Sequence, residues 1–165
     1  MRIALPLLPL LLLAGCGGGD AGSGNSGAPA QKVAAVAAPA GTNWAETVSV
    51  TPEGGYRMGN PDAPIKLVEY GSRTCPTCGQ FGRDSVPALA DTYVASGKVS
   101  YEFRDFAVHG APDLAAGLLG RCGGTGPFFP ILDQMYANQN AVLDKLQALP
   151  ESFQAQVQQM PPAQA

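Results

Sequence analysis

Charge is scarce in this 165-residue chain: charged residues make up 14% and the formal net charge is −3. Such a balance gives no electrostatic footprint for nucleic acid. Histidine occurs once, at His109. A four-ligand zinc set would have to join it to Cys75, Cys78 and Cys122. Neither a second Cys-x-x-Cys nor a spaced His pair is present to support that set. The glycine cluster Gly123-Gly124-Thr125-Gly126 lacks a following Gly-Lys-Ser/Thr, so it reads as a turn and not a phosphate loop. The apolar run Ile3–Leu13 is shorter than the roughly 20 residues that span a bilayer.

That run is instead a targeting signal. Arg2 supplies a minimal positive flank, and the length suits a secretory segment. It ends in Leu13-Ala14-Gly15-Cys16. This tetrapeptide resembles the bacterial lipobox, after whose cleavage the cysteine carries lipid. The simpler alternative is an ordinary signal peptide with a chance cysteine. By resemblance to lipoprotein sorting in Gram-negative bacteria, Gly17 in place of Asp favours the outer membrane. Lipid on Cys16 would anchor the chain without spanning the membrane. Residues 1–15 are thus expected to be signal peptide and residues 16–43 a lipidated cysteine plus flexible Gly/Ala linker. Residues 44–165 are expected to form the folded domain. The linker lacks the apolar periodicity that offsets ordering entropy. As a random coil its reach is on the order of 25–30 Å.

Four cysteines are present: Cys16, Cys75, Cys78 and Cys122. With Cys16 lipidated, three remain, an odd number for an exported protein. An oxidising compartment permits a disulfide between Cys75 and Cys78. So tight a loop stabilises little by chain entropy, so reactivity explains the pair better than scaffolding. Cys122 reads as a small buried or half-buried residue, with a regulatory or intermolecular disulfide as the alternative. Trp44, Tyr56 and Tyr70 read as packing residues.

The segment Ile65-Lys66-Leu67-Val68-Glu69-Tyr70 reads as a buried strand, bounded by Pro64 and Gly71-Ser72. A helix is expected from about Cys75 to Ser96, with Pro76 in its first turn and a kink at Pro87. Gly97 supplies the stop. Val99–Arg104 alternates as a strand should, which makes a strand–helix–strand unit with a parallel pair. Cys75 then sits at a helix N-terminus, where free N–H groups and the macrodipole favour the thiolate. Cys78 lies one turn further in and deeper. Cys75 is the expected attacking sulfur and Cys78 the resolving one. Glu69 is the acid of the apolar strand. Projecting under the helix, its carboxyl would have a raised pKa and could exchange a proton with Cys78. A strand-end glutamate facing solvent is the simpler alternative.

The runs Gly59–Phe81, Gly97–His109 and Phe128–Gln139 together resemble the DsbA-like branch of the thioredoxin superfamily. The likeness covers roughly Trp44 to Leu149. It implies an α/β thioredoxin-like fold with a helical insertion. Cys75 matches the family's nucleophile, Cys78 its resolving cysteine and Glu69 its buried acid. Pro76 and Thr77 match the two intervening positions. Strongly oxidising members often carry His where Thr77 stands, so a less oxidising pair is implied here. Members also complete the sheet with a β-hairpin preceded by a cis-proline, and no such segment is legible. After Gln139, Leu143, Leu146, Leu149 and Phe153 suggest helix. The chain is therefore expected to be a truncated or frameshifted product, or to be completed by a second chain. Too few β-rich runs for a complete sheet would leave marginal stability and an exposed sheet edge.

The leading function is thiol–disulfide exchange on exported protein thiols and disulfides. It needs no metal or organic cofactor, only a redox partner protein. Two alternatives belong to other classes: a catalytically weak lipoprotein with a binding role, and a thioredoxin-like protein handling Cu(I) or zinc.

Overall fold

The computed structural model describes residues 32–159. The expected signal segment, Cys16 and the linker up to residue 31 lie outside the described residues, as do residues 160–165.

A four-stranded sheet has the order β1-β2-β4-β3. Strands β1 (Val48–Val50) and β2 (Tyr56–Met58) form an antiparallel hairpin. Strand β2 runs antiparallel to β4 (Val99–Asp105), which runs parallel to β3 (Ile65–Gly71). The β3–helix–β4 unit is the one expected from the sequence. The β1–β2 hairpin is an addition, from runs of three residues each that are too short for periodicity to reveal. Ordered contacts begin upstream of Trp44. The Val36 N–H donates to Ser96 O at 2.9 Å, and Trp44 Nε1 donates to Val36 O at 2.8 Å.

Strand β4 is central and buried on both faces from Val99 to Phe103. Strand β3 corrects an expectation. Its apolar run predicts burial, yet Ile65 is 47% and Tyr70 61% exposed. It pairs with β4 alone among the described residues, and no strand follows β4 there. An apolar run reports the capacity for burial, whereas sheet position decides it. Tyr70 is accordingly not a core residue. Its ring carries Arg104 5.4 Å from the centroid, and its hydroxyl accepts from Arg104 Nη1 at 2.9 Å.

The expected helix is divided. Cys75 is its cap, and α1 spans Pro76–Asp84. After Ser85 come the short α2 (Val86–Ala88) and a π-helical stretch, Leu89–Val94. Pro87 has no N–H for the α pattern, so the ladder breaks there and resumes with a wider turn. Gly97, at φ +72°, ends the stretch in a left-handed conformation that suits glycine. Helices α3 (Ala111–Arg121), α4 (Phe128–Ala137), α5 (Gln139–Gln147) and α6 (Glu151–Gln159) follow. Of the residues expected to be helical, Leu143 and Leu146 lie in α5 and Phe153 in α6, while Leu149 falls in the bend between them.

The core joins β4 to α4. Tyr101, Phe103, Phe128, Phe129, Leu132 and Tyr136 are each no more than 3% exposed. Phe128 stacks on Tyr56 at 3.7 Å between ring centroids and meets Phe129 edge-on at 5.2 Å. Cys122 also departs from expectation. It caps α3 and is exposed.

Candidate thiol site

Strand β3 ends at Gly71, and the turn Ser72-Arg73-Thr74 delivers the chain to Cys75. All three turn residues are polar and buried. Burying polar groups without partners is costly, so each is held. Ser72 Oγ lies 2.8 and 2.9 Å from the two Asp113 carboxylate oxygens. Thr74 donates to Asp113 Oδ1 from its N–H at 3.0 Å and its hydroxyl at 2.8 Å. Arg73 Nε donates to Asp105 Oδ1 at 2.7 Å. Its guanidinium lies 5.4 and 5.1 Å from the ring centroids of Phe103 and Phe128. Gln139 Nε2 donates to the carbonyls of Arg73 at 3.0 Å and Cys75 at 2.9 Å. Tyr136 Oη donates to the Ser72 carbonyl at 3.3 Å. Three helices beyond the strand–helix unit thus hold one short turn.

Cys75 occupies the N-cap of α1 in extended conformation, with φ −80° and ψ 118°, and Pro76 stands within the first turn. Its thiol sits half-exposed at the helix start. The Cys78 backbone N–H first, then the Cys78 thiol and the Thr77 N–H, pull its pKa below the ordinary thiol value against the opposing effect of burial. Cys78 shifts oppositely. Burial pushes its thiol up, and the neighbouring Cys75 and Glu69 add to the rise. Cys78 packs against the core, while Pro76 and Thr77 are exposed. Both thiols are free in this structure.

Glu69 is half-buried on β3. Desolvation raises its pKa, against an opposing hydrogen bond from the Tyr101 hydroxyl. Its charge adds to the rise at Cys78. Cys75, Pro76, Thr77 and Cys78 lie together at the head of α1, and Glu69 lies on the strand that leads to it. The zinc set is not gathered: among the described residues, no three His, Cys, Asp or Glu side chains are placed to hold a metal. His109 instead reaches the thiol turn, with Nδ1 2.8 Å from Thr74 Oγ1.

Arg73, Asp113, Tyr101, Tyr136 and Gln139 join the site through contacts that no local sequence pattern announces. Asp113 carries one local sign, a Pro-Asp pair at a helix start, which indicates a helix boundary and nothing more. Gln139 imposes a requirement on α1. Gly79 passes so close that an added Cβ would collide with Gln139 Oε1. Gly79→Ala is expected to cost about 1–3 kcal/mol, the scale of overpacking. Denaturant unfolding of both proteins measures it, and unchanged stability would contradict this packing.

A family model described as thioredoxin matches residues 51–161. A Rickettsia bellii protein, named provisionally as a protein-disulfide oxidoreductase, is 39% identical over 67 residues, 41% of this chain and 26% of that protein. The solved protein-disulfide isomerase of Novosphingobium aromaticivorans is 31% identical with a TM-score of 0.55. That match covers 58% of this chain and 48% of the other. Wolbachia pipientis alpha-DsbA1 is 26% identical with a TM-score of 0.50, over 65% of this chain and 60% of the other. The chain spans about a quarter of the length of the first curated relatives it matches, at 26% and 24%. With its Cys-Pro-Thr-Cys at the start of α1 and its match over residues 51–161, the chain belongs to the thioredoxin family.

Proposed function

We propose that this chain is a thiol–disulfide oxidoreductase acting on the cysteines of exported proteins. One observation carries the reading: two free thiols stand one turn apart at the head of α1, Cys75 half-exposed at the N-cap and Cys78 packed against the core, an arrangement that favours thiolate at the first and thiol at the second. The names of the related proteins support it.

Cys75 thiolate attacks one sulfur of a substrate disulfide. The substrate S–S bond breaks, a mixed disulfide forms, and the other substrate sulfur leaves as thiolate. Cys78 must then lose its proton, and the Glu69 carboxylate is the acceptor. Cys78 thiolate attacks Cys75 Sγ, breaking the mixed disulfide and releasing the second substrate thiolate. The substrate gains two electrons and the pair is left as a Cys75–Cys78 disulfide. The same path reversed oxidises a substrate dithiol. Sulfur carries both electrons, so the only further requirement is a redox partner protein to reset the pair. Pro76 fixes the cap geometry, and Thr77 supplies a backbone N–H but no charge, which suits a less oxidising pair.

The domain is proposed to work outside the cytoplasm. In this reading residues 1–15 are a signal, lipidated Cys16 and a linker that ends before Val36 tether the folded domain, and the domain faces the periplasm from the outer membrane. Among the described residues no helix is long and apolar enough to cross a membrane. Two assays on the purified chain test the function: insulin reduction with dithiothreitol, and refolding of a scrambled disulfide protein. Turnover above a thiol-only control in at least one is expected. Background rates in both would overturn the reading.

A further inference from the structure

The turn that presents Cys75 is held by a carboxylate from another part of the chain. Asp113 lies in the first turn of α3, about 40 residues from the turn it binds, and is 5% exposed. It accepts from Ser72 Oγ, from Thr74 N and Oγ1, and from the His109 N–H at 2.9 Å. The Thr74 hydroxyl has one proton and gives it to Asp113, so it accepts from His109 Nδ1. Every one of these donors is a neutral hydroxyl or amide.

The charges around Asp113 leave its own unpaired. Arg73 and Arg121 lie nearby, but both turn onto Asp105, at 2.7 and 2.9 Å. The one basic group facing it is half-exposed His109, with Nδ1 3.8 Å from Oδ2. Burial pushes the Asp113 carboxyl up, but the hydrogen bonds of His109, Thr74 and Ser72 outweigh it and hold the pKa below its ordinary value. A buried carboxylate therefore persists at neutral pH beside Thr74, the residue before the nucleophile. Its charge opposes the Cys75 thiolate, against the helix N–H groups that favour it.

We propose that Asp113 is a positioning residue of the thiol site: it ties down the turn leading into Cys75 through Ser72 and Thr74, and its charge, held on the residue next to the nucleophile, restrains formation of the thiolate. Without Asp113 the thiolate fraction below the midpoint would rise by more than the intrinsic nucleophilicity of each thiolate falls, and Cys75 would become a better leaving group. The inference rests on the oxidoreductase reading and assigns what tunes its first thiol.

Asp113→Asn tests it, read by alkylation of Cys75 with iodoacetamide across pH, followed by mass spectrometry. Removing one nearby like charge is expected to lower the Cys75 midpoint and speed alkylation roughly three- to tenfold at pH values below the wild-type midpoint. At equilibrium with glutathione, the variant pair should be more oxidising. Asp113→Glu should restore the charge and return the midpoint toward wild type. If the Asn variant does not fold, Asp113→Ser removes the charge while keeping a hydrogen-bonding group, and it carries the same expectation. A fall in Tm with an unmoved or raised Cys75 midpoint would make Asp113 merely structural and overturn the proposal. Because alkylation needs no turnover, its outcome is separate from the insulin and refolding assays that decide the oxidoreductase reading.

Discussion

Cys75→Ser is expected to reduce disulfide exchange to the uncatalysed background, a loss of about 10³-fold or more, the scale of removing a covalent nucleophile. Its partner variant should behave differently. Cys78→Ser keeps the thiol that opens the substrate disulfide and removes the one that closes the cycle. It should accumulate a mixed disulfide between substrate and Cys75 that dithiothreitol reverses. The asymmetry follows from the cap. Cys75 receives backbone N–H groups at the helix start, whereas burial beside Glu69 holds Cys78 as thiol. Cys122 supplies an internal control. It is exposed, with its Sγ donating to Leu118 O at 3.2 Å, and it sits at the far end of α3. Cys122→Ser should leave exchange unchanged. Capture of substrate on Cys122 in the Cys78→Ser protein would contradict the assignment. Non-reducing gels with peptide mapping read all three variants.

Phe128→Ala should be the most destabilising single change in the core, at about 3–5 kcal/mol. The side chain is fully buried, stacked on Tyr56 and edge-on to Phe129. Against a typical stability of about 5–15 kcal/mol, that loss is large. It corresponds to a fall in Tm of roughly 10–20 °C for a domain of this size. The substitution also reaches the thiol site. The Arg73 guanidinium lies over the Phe128 ring, and Arg73 is two residues before Cys75. Losing that ring removes one wall of the buried arginine, so exchange should weaken even at temperatures where the variant stays folded. Phe128→Leu refills most of the cavity but not the aromatic face. It should recover most of the Tm and less of the activity. Equal recovery of both would separate the ring from the site.

The thiol unit was legible because its signals are local. The β3 pattern, the Cys-Pro-Thr-Cys spacing, proline in the first turn and the Gly97 stop all lie within about forty residues of one another. Each follows from backbone physics alone. What escaped depends on contacts between distant segments. Strands β1 and β2 hold three residues each, so they carry no readable period. The exposure of β3 depends on which strands flank it, which its own residues do not encode. Asp113 and Gln139 look like ordinary residues of helices α3 and α5. Their importance comes from meeting a turn 39 to 66 positions away. Arg73 would conventionally be assigned to the surface. The paired aromatics and Asp105 bring it inside. Tyr70 shows the opposite error, an aromatic read as core that lies on an edge strand.

The central claim is that one turn and one helix start make two adjacent thiols chemically unequal. Reduced protein, alkylated at a series of pH values and mapped cysteine by cysteine, measures this directly. Cys75 should be modified first, with a midpoint below the ordinary thiol range near 8.5, and Cys78 only at pH values above it. Coincident midpoints for the two cysteines, or modification of Cys78 ahead of Cys75, would contradict the account.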